Sequence, residues 1–287
     1  MPDKRTISQP SVMPKRTLSS PFAPLLTLLM MAVLASGVAS CDNSPTDSDP
    51  NGDSNGDGNG NGSPDPEFSH TAGPGSSAEA FLLNDRFDHI VMELQYMPGA
   101  EPDQGALDEL TSFLEQWTGK VSVELHGPTE IDAGGEGPYS ANAIRALEEE
   151  HRTQYSEGNT LAVYCIYVDG EYESRANVLG IAYYNTSCAL FDEPIEGVSG
   201  SLGQPSRRQV EGSVLNHELG HLLGLVNSGL DQQEDHHDQP NGAHCTDESC
   251  LMYYAVRTTD FFANLFDGSI PELDEFCAED IQALQAE

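Results

Sequence analysis

The segment from Val214 to Asn227 carries the spacing that most constrains how this chain can fold. His217 and His221 stand four positions apart, with Glu218 beside the first of them. Residues at this spacing share one face of a helix, with Cβ atoms about 5–6 Å apart, so two imidazoles can bind one tetrahedral metal ion. A glutamate at this position can take a proton from a metal-bound water. The pattern therefore predicts a zinc-binding helix.

The H-E-x-x-H pattern is short, and an ordinary amphipathic helix can contain it by chance. Three further features favour the metal site. Apolar residues recur along the segment and give the helix a face to bury: Val210, Val214, Leu215, Leu222, Leu223 and Leu225. Gly224 follows where a helix must stop for the chain to turn back, and glycine permits the left-handed conformation of such a stop. Met252 lies downstream in an apolar and aromatic run, residues 250–254.

The segment resembles the signature of the metzincin metallopeptidases, H-E-x-x-H-x-x-G-x-x-H followed by a Met-turn. Four residues match its first positions: His217, Glu218, His221 and Gly224. Asn227 stands where the third histidine is expected, and the pattern resumes at residues 244–252, which look like the H-C-x4-C-x-M of archaemetzincins. The resemblance therefore implies an insertion over residues 227–243 and His244 as the third zinc ligand.

The third ligand has alternatives in the insertion. His236 and His237 lie in an acidic run, whereas Asn227 is a poorer ligand because zinc prefers imidazole, thiolate or carboxylate. Four acidic residues of the insertion could instead hold calcium, although their spacing is irregular: Asp231, Glu234, Asp235 and Asp238.

The resemblance implies a zinc-dependent endopeptidase that acts on peptides or proteins. Zinc would activate a water molecule, and Glu218 would serve as the general base. Tyr254 is placed similarly to a tyrosine that in some metzincins moves to the metal, and Tyr253 is the alternative residue for this role. Met252 would form an apolar floor beneath the site. The alternative is a non-catalytic lipoprotein that binds a metal or a protein on a metzincin scaffold, and Asn227 motivates it.

The apolar patterning of the remaining chain predicts an α+β domain. Strands are expected at 87–96, 121–125, 161–168, 177–184 and 188–191; helices are expected at 103–117, from a Ser140 cap to about His151, at the motif, and at 271–286. The resemblance implies a metzincin-like zincin domain with a twisted mixed sheet, an active-site helix and a Met-turn. It also implies that residues 188–191 form an edge strand above the cleft.

The N-terminus indicates export. Basic residues precede an apolar run at 24–35, which is too short for a membrane span and predicts a signal peptide over residues 1–40. Val38 to Cys41 resembles a bacterial lipobox, which implies a lipidated Cys41 and a cell-envelope location on a membrane. Residues 41–79 are almost free of apolar side chains and predict a disordered tether, so the metallopeptidase domain is expected over 80–287.

The net charge of −35 and the isoelectric point near 4.2 exclude nucleic acid as a natural partner, because a negative surface repels it. The acidity favours solubility and gives a mild attraction for cationic peptides. The charge does not indicate an oligomeric state.

The cysteines of an exported chain favour disulfides. Cys245–Cys250 is the first expected pair and Cys165–Cys188 the second, which leaves Cys277 over. A structural zinc at Cys245 and Cys250 is the rival interpretation that the archaemetzincin resemblance implies. The archaemetzincin pattern ends in a later C-x-x-C, of which this chain has only Cys277, and this weakens the zinc interpretation.

Overall fold

The computed structural model describes residues 68–132, 137–263 and 269–287. The predicted signal peptide, the lipidated Cys41 and most of the predicted tether fall outside these residues and stay predictions. Among the described helices, none combines the length and the apolar character that crossing a membrane requires.

A mixed five-stranded sheet forms the centre of the fold. Its strands are β1 (His89–Tyr96), β2 (Ser122–Glu130), β3 (Thr160–Val168), β4 (Gly180–Tyr184) and β5 (Ser187–Phe191), in the spatial order β2-β1-β3-β5-β4. The β1–β2, β1–β3 and β3–β5 pairs are parallel, whereas β4 and β5 are antiparallel. The predicted mixed sheet is confirmed.

The edge strand beside the cleft is β4, so the expectation that residues 188–191 form this edge is wrong. The chain passes through β4 first and then returns as β5, which inserts between β3 and β4. All five residues of β5 are buried, whereas β4 contains half-buried positions. A strand that is buried on both sides suits the interior of a sheet, which explains why β5 lies inside the sheet and β4 at its edge.

The helices lie between and after the strands as the α+β prediction requires. Their bounds are α1 (Ala78–Leu82), α2 (Gln104–Thr118), α3 (Ala141–His151), α4 (Asp192–Val198), α5 (Arg207–Leu222), α6 (Thr259–Phe262) and α7 (Glu275–Gln285), with 3₁₀ turns at Gln239–Asn241 and Tyr254–Arg257. The side chain of Ser140 caps α3 by accepting a hydrogen bond from the Ala143 N–H at 3.2 Å, as predicted.

The central strand β3 is buried on both faces and separates two apolar clusters. Its residues Val163 and Cys165 pack in the larger cluster with side chains of α2 and α5, whereas Tyr164 and Ile166 pack in the smaller cluster with Ile144 of α3. Successive side chains of a strand point to opposite faces, so helices cover both sides of the sheet. This arrangement places α5 directly against the sheet.

The packed part of the chain reaches back at least to Phe68, whereas the sequence predicts a tether up to residue 79. The ring of Phe68 contacts that of Phe87 edge to face at 5.2 Å. The Asn185 side-chain amide donates to the Ser69 carbonyl at 2.7 Å, and His70 is buried beside Thr186. These contacts offset the low apolar content of the segment.

The five described cysteines are free thiols, so both predicted disulfides are wrong: Cys165, Cys188, Cys245, Cys250 and Cys277. Cys165 and Cys188 lie side by side on β3 and β5, where a hydrogen bond between the thiols, together with burial, raises the pKa of Cys188. Both act as small apolar side chains in the core. The other three cysteines converge on a shared cluster.

Candidate metal centres

Helix α5 carries the H-E-x-x-H residues through the interior of the domain. It begins with a capping box, in which the Ser206 hydroxyl accepts from the Gln209 N–H while the Gln209 side chain accepts from the Ser206 N–H. Every residue from Val210 to Leu222 is buried. A helix that is buried all round belongs to the core, so its polar side chains need a partner there.

Met252 lies against α5 at Gly220, as the predicted apolar floor requires. A Cβ atom at Gly220 would overlap the sulfur of Met252 and lie 3.1 Å from its methyl carbon, so only glycine allows this approach. The preceding residue, Leu251, accepts a hydrogen bond at its carbonyl from His217 Nδ1 at 2.7 Å. The turn thus fixes the ring orientation of His217.

Gly224 redirects the chain just after α5, as predicted. Its φ is +84°, and a Cβ there would lie 2.8 Å from that of Ala78. Val226 and Asn227 follow with φ of 53° and 62°, an unfavourable conformation for residues with side chains. Asn227 is exposed, whereas His217 and His221 are buried.

The structure brings His217, His221 and His244 together. Their candidate ligand atoms all lie within 4.8 Å of one another, and the ring centroids are 4.8 to 5.3 Å apart. The Nε2 atoms of all three are buried and have no hydrogen-bond partner among the described residues. Burying nitrogen atoms without a hydrogen-bond partner costs free energy. The three Nε2 atoms therefore favour a ligand that comes from outside the protein.

The chemistry of this group fits zinc. His217 Nδ1 donates to Leu251, and His244 Nδ1 donates to the Asn241 carbonyl at 2.7 Å, which leaves the Nε2 lone pairs free for a metal. Burial lowers the pKa of His217 and His221 well below the usual range, and lowers that of His244 to about 4. The imidazoles are therefore neutral at pH 7, as metal ligands must be.

Glu218 lies beside these histidines and under the edge strand. A Cβ atom on Gly180 of β4 would be 3.1 Å from its Oε1. Both carboxylate oxygens are buried without a hydrogen-bond partner among the described residues. Burial raises the pKa of Glu218 to about 7, although the positive charge of Arg257 opposes this shift. The carboxylate can therefore hold or release a proton near neutrality.

Tyr254 opens the 3₁₀ turn that follows Met252. Its ring contacts that of Tyr253, with centroids 4.8 Å apart and the planes tilted by 60°. The catalytic role of Tyr254 stays a prediction.

The structure also separates the other candidate ligands. His237 Nε2 donates to the Gly242 carbonyl at 2.8 Å, and His236 belongs to a second group. In the described part of the chain, neither group contains the acidic residues that were candidates for a calcium site. The predicted calcium site therefore lacks support.

The second ligand group gathers thiols and a histidine below the Met-turn. Ligand atoms of His236, Cys245, Asp274 and Cys277 lie within 4.8 Å of one another, and Cys250 Sγ is 3.7 Å from Cys277 Sγ. Hydrogen bonds from the other two thiols lower the pKa of Cys250 to about 5. A thiolate at neutral pH is the form that binds zinc.

His236 is oriented as a metal ligand would be. Its Nε2 lies 2.9 Å from Asp280 Oδ2, and both residues are buried. The Nε2–H donates to this carboxylate, so Nδ1 faces Cys245 Sγ, 3.4 Å away, with its lone pair free. The sequence indicated a zinc at Cys245 and Cys250 only as the rival of a disulfide, and it did not assign His236 to this site. Asp274 and Cys277 keep the spacing of a C-x-x-C in which aspartate replaces the first cysteine.

Neither a protein-family model nor a curated protein sequence matches the chain. Among solved structures, it is similar to an archaemetzincin from Methanopyrus kandleri, with 19% identity, a TM-score of 0.47, and 71% of this chain and 100% of that chain covered. It is also similar to metalloproteinase-II from Bacteroides fragilis, with 15% identity and a TM-score of 0.37. That likeness covers 68% of this chain and 53% of the other, so the chain spans about half the length of that protein.

Proposed function

We propose that the chain is a zinc-dependent endopeptidase that hydrolyses peptide bonds of peptides or proteins. One observation carries the proposal: three neutral, buried imidazoles expose unpaired Nε2 atoms to one another beside the unpaired carboxylate of Glu218. His217, His221 and His244 would hold the zinc. A non-catalytic scaffold has little need for a buried carboxylate without a partner, because its desolvation is costly.

The residues around the metal define the remaining chemistry. When bound, zinc supplies a Lewis acid that lowers the pKa of a water molecule to about 7. Glu218, with a pKa of about 7, accepts a proton from the nucleophile and can return it to the leaving amine. Strand β4 can align an extended substrate by main-chain hydrogen bonds, since it forms an edge of the sheet.

The second group is proposed to hold a structural zinc through His236, Cys245, Cys250 and Cys277. Zinc in closed structural sites takes four nitrogen or sulfur ligands. Asp274 is better placed as a neighbour than as a ligand, because its Oδ1 already caps α7 by accepting the Cys277 N–H at 2.8 Å.

Elemental analysis of the full chain, purified with zinc, tests both sites. We expect two zinc ions per chain, one for each ligand group. His244→Ala should retain one zinc and lose cleavage of an unfolded protein substrate, whereas His237→Ala should retain both zinc ions and the activity.

Full zinc content in His244→Ala would contradict the proposed ligand set. Two zinc ions without cleavage that a chelator can abolish would favour the non-catalytic alternative, a metal- or protein-binding lipoprotein.

The proposed enzyme is anchored to a membrane of the bacterial cell envelope through a lipidated Cys41, since the residues before it resemble a lipobox. Such anchoring is firm when a terminus carries more than one acyl chain. Cys41→Ser is therefore expected to move the protein from the membrane fraction to the soluble fraction. Equal membrane association of both proteins, measured by fractionation and immunoblotting, would refute the anchor.

A further inference from the structure

A cleft of about 460 Å³ opens along the edge strand β4. Ile181, Ala182 and Tyr183 of β4 form one side of it. Three arginines from separate parts of the chain also line it: Arg145, Arg175 and Arg257. No aspartate or glutamate is among its described lining residues. We call this feature the arginine cleft.

The arginine cleft runs against the charge of the whole chain, which has 12 basic and 47 acidic residues. Other arginines of the domain are neutralised: Arg152 pairs with Glu148 at 2.6 Å, and Arg208 pairs with Glu109. None of the three cleft arginines has an ion-pair partner among the described residues. The cleft is therefore locally positive on an acidic protein.

Arg145 is held in position by the cleft wall. Its guanidinium donates to the Asn142 side chain at 3.1 Å and to the Tyr183 carbonyl at 3.3 Å, and lies 5.1 Å from the centre of the Tyr184 ring. Its Nε is buried and has no hydrogen-bond partner in the described part of the chain. A restrained guanidinium with an unused donor favours an anionic ligand, because little side-chain entropy remains to be lost.

Arg257 connects the cleft to the histidine group. Its carbonyl accepts the Leu179 N–H at 2.9 Å, which ties it to the start of β4. The 3₁₀ turn that ends at Arg257 packs against α5, the helix that carries His217, Glu218 and His221. Arg175 is exposed on the outer side, where an incoming group can reach it.

We propose that the arginine cleft binds an acidic side chain of the peptide substrate, close to the bond that is cleaved. This inference rests on the proposed peptidase function and adds its substrate class. Guanidinium groups present a planar fork of donors that matches a carboxylate. The local preference is thus for acidic segments, in contrast to the mild attraction for cationic peptides that the net charge predicts.

The test uses peptides that differ only in one residue, glutamate, glutamine or lysine, placed at successive positions around the cleaved bond. At one position, we expect kcat/KM of the full chain to be roughly 10- to 100-fold higher for glutamate than for glutamine, the size of a charge-assisted hydrogen bond. The double variant Arg175→Gln with Arg257→Gln should bring this ratio close to one. Arg208→Gln removes an arginine charge from outside the arginine cleft and should leave the ratio unchanged.

A binding measurement separates this inference from the proposed function. Calorimetry with the Glu218→Gln chain should show tighter binding of the glutamate peptide than of the glutamine peptide, and the arginine double variant should lose the difference. Cleavage without any glutamate preference would overturn the inference and leave the peptidase intact. If the glutamate peptide binds preferentially but the native chain cleaves no peptide, the peptidase function would be overturned and the acidic preference of the cleft would stand. A preference for lysine, or one that survives in the double variant, would also overturn the inference.

Discussion

Glu218→Gln is expected to lower kcat/KM for peptide hydrolysis by about 10²- to 10⁴-fold, the usual contribution of a general base. Glutamine keeps the size of the side chain and its burial but cannot accept the proton. The carboxylate lies beside the histidines and has no hydrogen-bond partner among the described residues. No side chain bonded to it can therefore take over the proton transfer. The loss should appear in kcat, because the proton is transferred during the chemical step.

The control for this variant is Glu211→Gln on the same helix. Glu211 is also buried, but it contacts Arg207 and accepts the Asp103 N–H at 2.8 Å, away from the histidines. Its replacement should leave the activity per folded molecule unchanged. Both variants should retain the zinc of the native chain in elemental analysis. Glu218→Gln with native kcat would rule out the proposed mechanism.

Cys277→Ala is expected to remove the second zinc and to destabilise the domain strongly. Structural zinc contributes an apparent binding free energy of about 10–16 kcal/mol in zinc-finger peptides. Cys277 also joins α7 to the Met-turn, because its thiol lies 3.7 Å from both His236 Nδ1 and Cys250 Sγ. Thermal unfolding followed by circular dichroism, with and without a chelator, should show a large fall in Tm for the native chain on metal removal.

In Cys277→Ala, Tm should already be low and should respond little to the chelator. Asp274→Asn is the matched control, since asparagine caps a helix as well as aspartate does. It should keep two zinc ions and a Tm near that of the native chain. A Cys277→Ala variant with native zinc content and Tm would show that these thiols bind no metal.

The features that the sequence predicted well are local in the chain. The spacing of His217 and His221 predicts a helix with both rings on one face because this geometry depends on one turn of backbone. The Ser140 cap and the left-handed Gly224 likewise depend on neighbouring residues. The meeting of His244 with the other two histidines could be expected only from the family resemblance, since the insertion breaks the regular spacing.

The features that escaped prediction depend on distant parts of the chain. His236 and Cys277 meet although 41 positions separate them, and single-sequence patterns carry no signal for such a contact. The positions of β4 and β5 in the sheet depend on which strand is better buried on both sides. The arginine cleft combines residues 145, 175 and 257, and becomes visible only when the fold brings them together.

The insertion over residues 227–243 has a thermodynamic consequence. It contains His236 of the second group and ends immediately before His244 of the first. A metal ion at either group therefore fixes one end of the same short segment and reduces the conformational entropy that the other ion must remove. Such coupling is reciprocal. Occupancy of the thiol site would thus raise the affinity of the histidine site for its ion, and the shared loop would make the two sites cooperative in metal binding.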